Sequence, residues 1–225
     1  MLIISFPRSG QNLLHRLLKH IYKYYHLSYT YCEFYDCCNH VPCLQKKQFQ
    51  KNHDFDLKLD IHKNDKLFVL YRGNKISQLE AYFRYHYSKK YPNVNINYDN
   101  PAIFNDLIQF IHNHSHYYDG FMKKYIYTNK YHNAFFIEYD DFVPNHKNYI
   151  KKIIMFLNLP IHHENIDIDV QNIIDRFETI EYKNRLHIFN YNKIQLSIQN
   201  MNNQSKKKDS NKKILYKRKN ELNFI

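Results

Sequence analysis

Two rhythms of apolar positions run along the chain. Leu2, Ile3, Ile4 and Phe6 form a short, dense apolar run that reads as a buried strand. The spacing then changes: Leu14, Leu17, Leu18, Ile21 and Tyr25 recur every three or four residues, the stripe of an amphipathic helix. Lys66 to Tyr71 (KLFVLY) and Ala134 to Tyr139 (AFFIEY) are further compact strands, and Gln48 to His53 (QFQKNH) is a shorter one ending in polar groups. Helical spacing returns in Ile76, Leu79 and Phe83, in Phe104, Leu107, Ile108 and Ile111, and in Ile150, Ile153, Ile154 and Leu157. Pro101 suits the first turn of its helix, Pro160 stops another, and Val170 to Phe177 suggests one more. Residues 27–47 are irregular, aromatic and cysteine-rich, and residues 87–100 form a polar loop.

Strands separated by helices predict an α/β fold, a parallel sheet flanked by helices. In such a sheet a ligand lies at the carboxyl ends of the strands. Pro7-Arg8-Ser9, Lys51-Asn52-His53, Arg72-Gly73-Asn74 and Tyr139-Asp140 all fall at such ends. The first turn has the makings of an anion site: first-turn N–H groups have no intrahelical acceptor, and the helix dipole favours negative charge there. Arg8 adds a cation with fork geometry and Ser9 a hydroxyl. A plain strand-to-helix turn, with Gly10 relieving strain and Arg8 in water, fits the same residues, and from the loop alone both readings stand. The nucleotide loop G-x-x-x-x-G-K-[ST] is not matched, since one Gly and no Lys-Ser/Thr pair are present, which disfavours a kinase or ATPase.

Composition narrows the field. With 225 residues and 44% hydrophobic content the chain is long enough for one substantial core. No apolar run reaches the roughly 18–20 residues that span a bilayer. The N-terminus lacks a signal-peptide pattern, so a soluble, cytoplasmic or otherwise intracellular protein is expected. The net charge of +12 is uneven: residues 205–225 hold eight Lys/Arg against Asp209 and Glu221, half of the excess. That tail has the composition of a solvated or disordered segment, with attraction to nucleic acid or closure over an anionic nucleotide as the other readings.

Three segments in order resemble the sulfotransferase family: SFPRSGQNLL its 5′-phosphosulfate loop, LFVLYRGNKISQLEAYFRYH its 3′-phosphate segment, and FFIEYDDFVPNHKNYIKKIIMFLNLP its later strand-and-helix unit. The resemblance covers residues 1–180. Residues 181–204 are an extension of unspecified structure and 205–225 the basic tail. It implies a three-layer fold like that of P-loop NTPases, without bound metal. The implied donor is 3′-phosphoadenosine 5′-phosphosulfate (PAPS), and the implied reaction is in-line sulfuryl transfer to a hydroxyl or amine. Residue by residue, Arg8, Ser9, Gly10, Gln11 and Asn12 would cradle the 5′-phosphosulfate and Arg72 would bind the 3′-phosphate. Lys51-Asn52-His53 matches a Lys-x-His of many members, with His53 as general base and with Lys51 and Arg8 offsetting charge on the leaving oxygen. Glu33 is the reserve base, and Asp54 either orients His53 or is an exposed strand-end acid.

The match departs from the family at two places. Eight residues after Arg72 the family usually presents a serine, and here stands Glu80; Ser77, nearly one turn earlier, is the substitute. No Gly follows Gly120, so the C-terminal Gly-x-x-Gly loop is missing in its usual form, and the basic stretch from Lys206 to Lys213 is a substitute source of charge. All four cysteines lie in Cys32, Cys37, Cys38 and Cys43, a C-x₄-C-C-x₄-C spacing that is not a standard zinc-finger pattern. Reduced thiols lining an acceptor pocket or packing under Tyr31 and Tyr35 are the leading reading, with a structural metal and disulfides as the others. The acceptor, whether carbohydrate, lipid or small metabolite, is not legible in the sequence. A non-catalytic binding module for nucleic acid or anionic glycan on the same scaffold is the competing function.

Overall fold

The computed structural model describes residues 1–161 and 165–177, with side chains through Asp175. Five parallel strands form one sheet in the order β2-β3-β1-β4-β5. They are β1 (Leu2–Ser5), β2 (Tyr31–Cys32), β3 (Phe49–Asn52), β4 (Leu67–Tyr71) and β5 (Ala134–Glu138). The helices are α1 (Gln11–Tyr24), α2 (Lys75–Lys90), α3 (Pro101–Phe121), the single turn α4 (Tyr139–Phe142), α5 (His146–Leu157) and α6 (Ile166–Phe177). A π-helical stretch, Met122–Ile126, continues α3.

Alternation within each strand divides the core in two. Ile3, Phe68, Leu70 and Ile137 pack on one face with Leu14, Leu17, Leu18 and Ile21 of α1, Ile150, Ile153 and Ile154 of α5, and Val170 and Ile173 of α6. Ile4, Leu67 and Val69 face the other way, against Leu79 and Phe83 of α2 and Leu107, Ile108 and Phe121 of α3. These are the three layers, with β1 in the middle of the sheet. Among the described residues no helix is long and apolar enough to cross a membrane.

The element ends follow local chemistry. Asn74 and Asn100 cap α2 and α3 by accepting the backbone N–H of Ser77 and Ala102, and Pro101 sits in the first turn of α3. Asn158, at φ 54°, ends α5 in a left-handed cap, ahead of the stop expected at Pro160. The polar loop expected over residues 87–100 shrinks to 91–100, because α2 continues through Lys90. β2 is the strand the pattern did not predict: two residues, Tyr31 and Cys32, pair with Phe49 and Gln50. The divisions expected at 181–204 and 205–225 lie outside the described residues.

Candidate active site

The strand-to-helix turn after β1 is held from inside. Ser9 is fully buried, and its hydroxyl donates to Gln78 Oε1 at 2.8 Å. The Gln78 amide nitrogen donates to the Pro7 carbonyl. Gln11 also turns inward and donates to the Ile3 carbonyl at 3.2 Å. The Ser9 hydroxyl, expected to face a ligand, and the Gln11 side chain thus shape the turn from beneath, and what this turn offers outward is backbone. Gly10 caps α1 at φ 85°, no side chain caps the first turn, and no acidic residue lies in it. A Cβ at residue 10 would run into the Tyr139 ring, so both conformation and space require glycine there. Arg8 (φ 70°) and Asn12 are exposed beside these N–H groups, with the Arg8 guanidinium 5.1 Å from the Tyr85 ring centroid. Replacing Gln78 by alanine is expected to cost about 1–3 kcal/mol for each buried group left unpaired, here the Ser9 hydroxyl and the Pro7 carbonyl. Urea denaturation of the purified variant measures this loss.

The end of β4 forms a second cationic corner. Arg72 Nη1 donates to Ser77 Oγ at 3.0 Å, and its guanidinium lies 4.3 Å from the Tyr139 ring centroid. Arg72 Nε is buried without a hydrogen-bond partner, and the nearest carboxylate, Asp140, stands at 3.9 Å. The backbone is fixed from two sides: Tyr118 donates its hydroxyl to the Arg72 and Gly73 carbonyls, and Gly73 N–H donates to Glu138 at 3.1 Å. Tyr139 therefore touches both the Gly10 turn and Arg72. Glu80 is directed to other groups. It accepts from the Tyr98 hydroxyl at 2.7 Å and pairs with Arg84 at 3.5 Å, so its charge is compensated within α2 and the 91–100 loop.

The third component is the end of β3. His53 Nδ1 lies 2.9 Å from the Ser5 carbonyl and 3.1 Å from Ser5 Oγ. A carbonyl only accepts, so Nδ1 carries the proton and Nε2 keeps its lone pair. Burial, opposed by that hydrogen bond and reinforced by Lys51, pushes the imidazole down to about 4, so it is neutral at pH 7. Lys51 pairs with Glu33 at 2.9 Å, which brings the reserve base and the expected cation together.

Asp54 plays neither role proposed from sequence. Its side chain is fully buried and accepts from Lys124 at 2.6 Å, from the Tyr125 hydroxyl and from the Leu59 amide at 2.8 Å. It anchors the segment after β3 to the π-helical turn and makes no contact with the imidazole. Instead, His53 is held by Ser5, and its own carbonyl accepts from Tyr117 at 3.0 Å.

Arg8, Lys51, His53 and Arg72 lie at the strand ends expected to carry them, with Gly10 capping α1 and Asn12 and Ser77 in the first turns of α1 and α2. Gln78, Tyr118 and Glu138 were missed, and Tyr139 was placed at a strand end without a role. Gln78 follows Ser77 in the matched segment, yet a single buried glutamine between Ser77 and Leu79 gives no periodic signal. The sulfotransferase domain model matches residues 1–224, and the chain belongs to that family. No curated protein matches the chain significantly.

Proposed function

We propose that this member of the sulfotransferase family moves the sulfuryl group of PAPS to a hydroxyl or amine acceptor by direct in-line transfer, with His53 as general base. The observation that carries the reading is the hydrogen bond from His53 Nδ1 to the Ser5 carbonyl at 2.9 Å. It fixes an unprotonated Nε2 just past the end of β3, the strand adjoining the one that feeds the Gly10 turn.

The residues suit such a donor. The turn at Gly10 has first-turn N–H groups with no side-chain cap, and Arg72 has a buried Nε without a hydrogen-bond partner. Both are features that anionic oxygens satisfy. The chemistry supplied by the bound donor is an activated sulfuryl group on a phosphate leaving group. The amides of Gly10, Gln11 and Asn12 would hold the 5′-phosphosulfate oxygens, and Arg72 with Ser77 the 3′-phosphate. His53 Nε2 would take the acceptor proton as the new bond to sulfur forms. Arg8 and Lys51 would offset negative charge collecting on the departing oxygen, Lys51 while held 21% exposed against Glu33.

The test is a transfer assay with sulfur-labelled PAPS over a panel of hydroxyl and amine acceptors, run beside adenosine 5′-phosphosulfate, which lacks the 3′-phosphate. Label is expected to move from PAPS into an acceptor, with the analogue a much poorer donor. Equal use of both donors would remove the role given to Arg72 and Ser77. Absence of transfer from either donor across the panel would count against the enzymatic reading and favour a binding module.

A further inference from the structure

The loop from Glu33 to Gln48, between β2 and β3, has little core of its own. Tyr35 and Leu44 are 63% and 66% exposed, so apolar burial does not account for its order. What the loop does have at its centre is sulfur. Cys32, Cys37, Cys38 and Cys43 place all four Sγ atoms within 4.8 Å of one another. Cys32 and Cys38 are separated by 3.9 Å and Cys37 and Cys43 by 3.8 Å. Those pairs share no atom, so they are opposite edges of a tetrahedron. A Zn²⁺ ion with four thiolates at about 2.3 Å has S···S edges of about 3.8 Å. A disulfide would need about 2.05 Å.

We propose that these four cysteines form a structural Zn²⁺ site on the β3 side of the sheet, independent of the donor chemistry. This departs from the expectation of a chain without metal and of thiols packed under Tyr31 and Tyr35. The backbone is arranged for convergence. The amides of Cys37, Cys38 and Asn39 all donate to the Phe34 carbonyl, at 3.2, 3.1 and 3.0 Å, a turn tight enough to direct two adjacent side chains inward. On coordination each thiol releases its proton to solvent, four per ion, leaving a centre of net charge −2. Lys46 and Lys47, three and four residues after Cys43, supply positive charge in the same loop. A tetrahedral all-sulfur set selects zinc among the common divalent ions.

The site would hold the wall of the active site. Cys32 precedes Glu33, which pairs with Lys51, and Gln50 donates to the His40 carbonyl from β3. The full chain, purified under reducing conditions, is expected to retain about one zinc per molecule by plasma emission. Titration of the metal-stripped chain with Co²⁺ should give the absorption of a tetrahedral thiolate centre, saturating at one equivalent. Cys37→Ser and Cys38→Ser, at the two half-buried positions, should lose most of the retained zinc and shift the cobalt spectrum. Circular dichroism of these variants separates loss of the ion from loss of the fold. A reduced, folded chain that holds no zinc and leaves the Co²⁺ spectrum unchanged would overturn the site. So would an intact mass lower by four hydrogens in the chain as isolated, which would assign the cysteines to two disulfides.

Discussion

Replacing His53 by alanine is expected to lower kcat by about 10²–10⁴, the range of a lost general base, and to leave nucleotide affinity nearly unchanged. The imidazole lies outside the Gly10 turn: the ring contacts Ser5 and Phe55, and the His53 carbonyl accepts from the Tyr117 hydroxyl. His53→Gln is the sharper variant, because its amide can donate to the Ser5 carbonyl while offering no base. The pH profile separates a base from a spacer. Burial holds His53 down to about 4, so the acid limb of kcat/KM should fall near 4, well below the 6.5 of an unperturbed histidine. The same shift bears on stability. The unfolded chain takes up this proton near 6.5 and the folded chain only near 4. Stability from neutral His53 is therefore complete above 6.5 and declines as pH falls through that window. A His53→Gln variant with wild-type rate and an unchanged acid limb would assign the proton transfer to another group, with Glu33 the next to test.

The second large effect is on folding. Asp54→Ala is expected to destabilise the protein by about 3 kcal/mol, the low end for breaking a buried ion pair. The low end applies because Lys124 is 22% exposed and keeps the Leu57 and Leu59 carbonyls. The variant also loses the acceptor of the Tyr125 hydroxyl and of the Leu59 amide. Asp54 lies at φ 46°, a region that aspartate tolerates better than alanine. Asp54→Asn, which keeps an acceptor oxygen and the backbone preference, should cost less. Urea unfolding of the two variants gives the order. Equal stability of Asp54→Ala and wild type would mean that the pair with Lys124 contributes nothing to the fold.

The layers and the strand ends were legible because both rest on periodicity. Dense apolar runs at Leu2–Phe6, Lys66–Tyr71 and Ala134–Tyr139, with helical spacing between, specify a parallel sheet and hence where a ligand meets it. What escaped has no period. β2 is two residues long, below the length at which alternation is visible. Asp54 looks in sequence like any strand-end acid, and only Lys124 and Tyr125, far along the chain on a π-helical turn, show why it is buried. Gln78 and Tyr139 join segments that the sequence presents separately, one beneath Ser9 and one between Gly10 and Arg72. The cysteine spacing resembles no common metal motif; it is the turn at Phe34 that gathers the sulfurs.

Calorimetric titration with 3′-phosphoadenosine 5′-phosphate beside ADP tests whether the nucleotide site reads a 3′-phosphate. Preference for the 3′-phosphorylated nucleotide is predicted. Arg72→Ala should remove about 1.5–3 kcal/mol of its binding, the worth of a charge-assisted hydrogen bond, and leave ADP binding nearly unchanged, whereas Arg8→Ala should weaken both. Equal affinity of the wild-type protein for the two nucleotides, untouched by Arg72→Ala, would contradict a site for the 3′-phosphate.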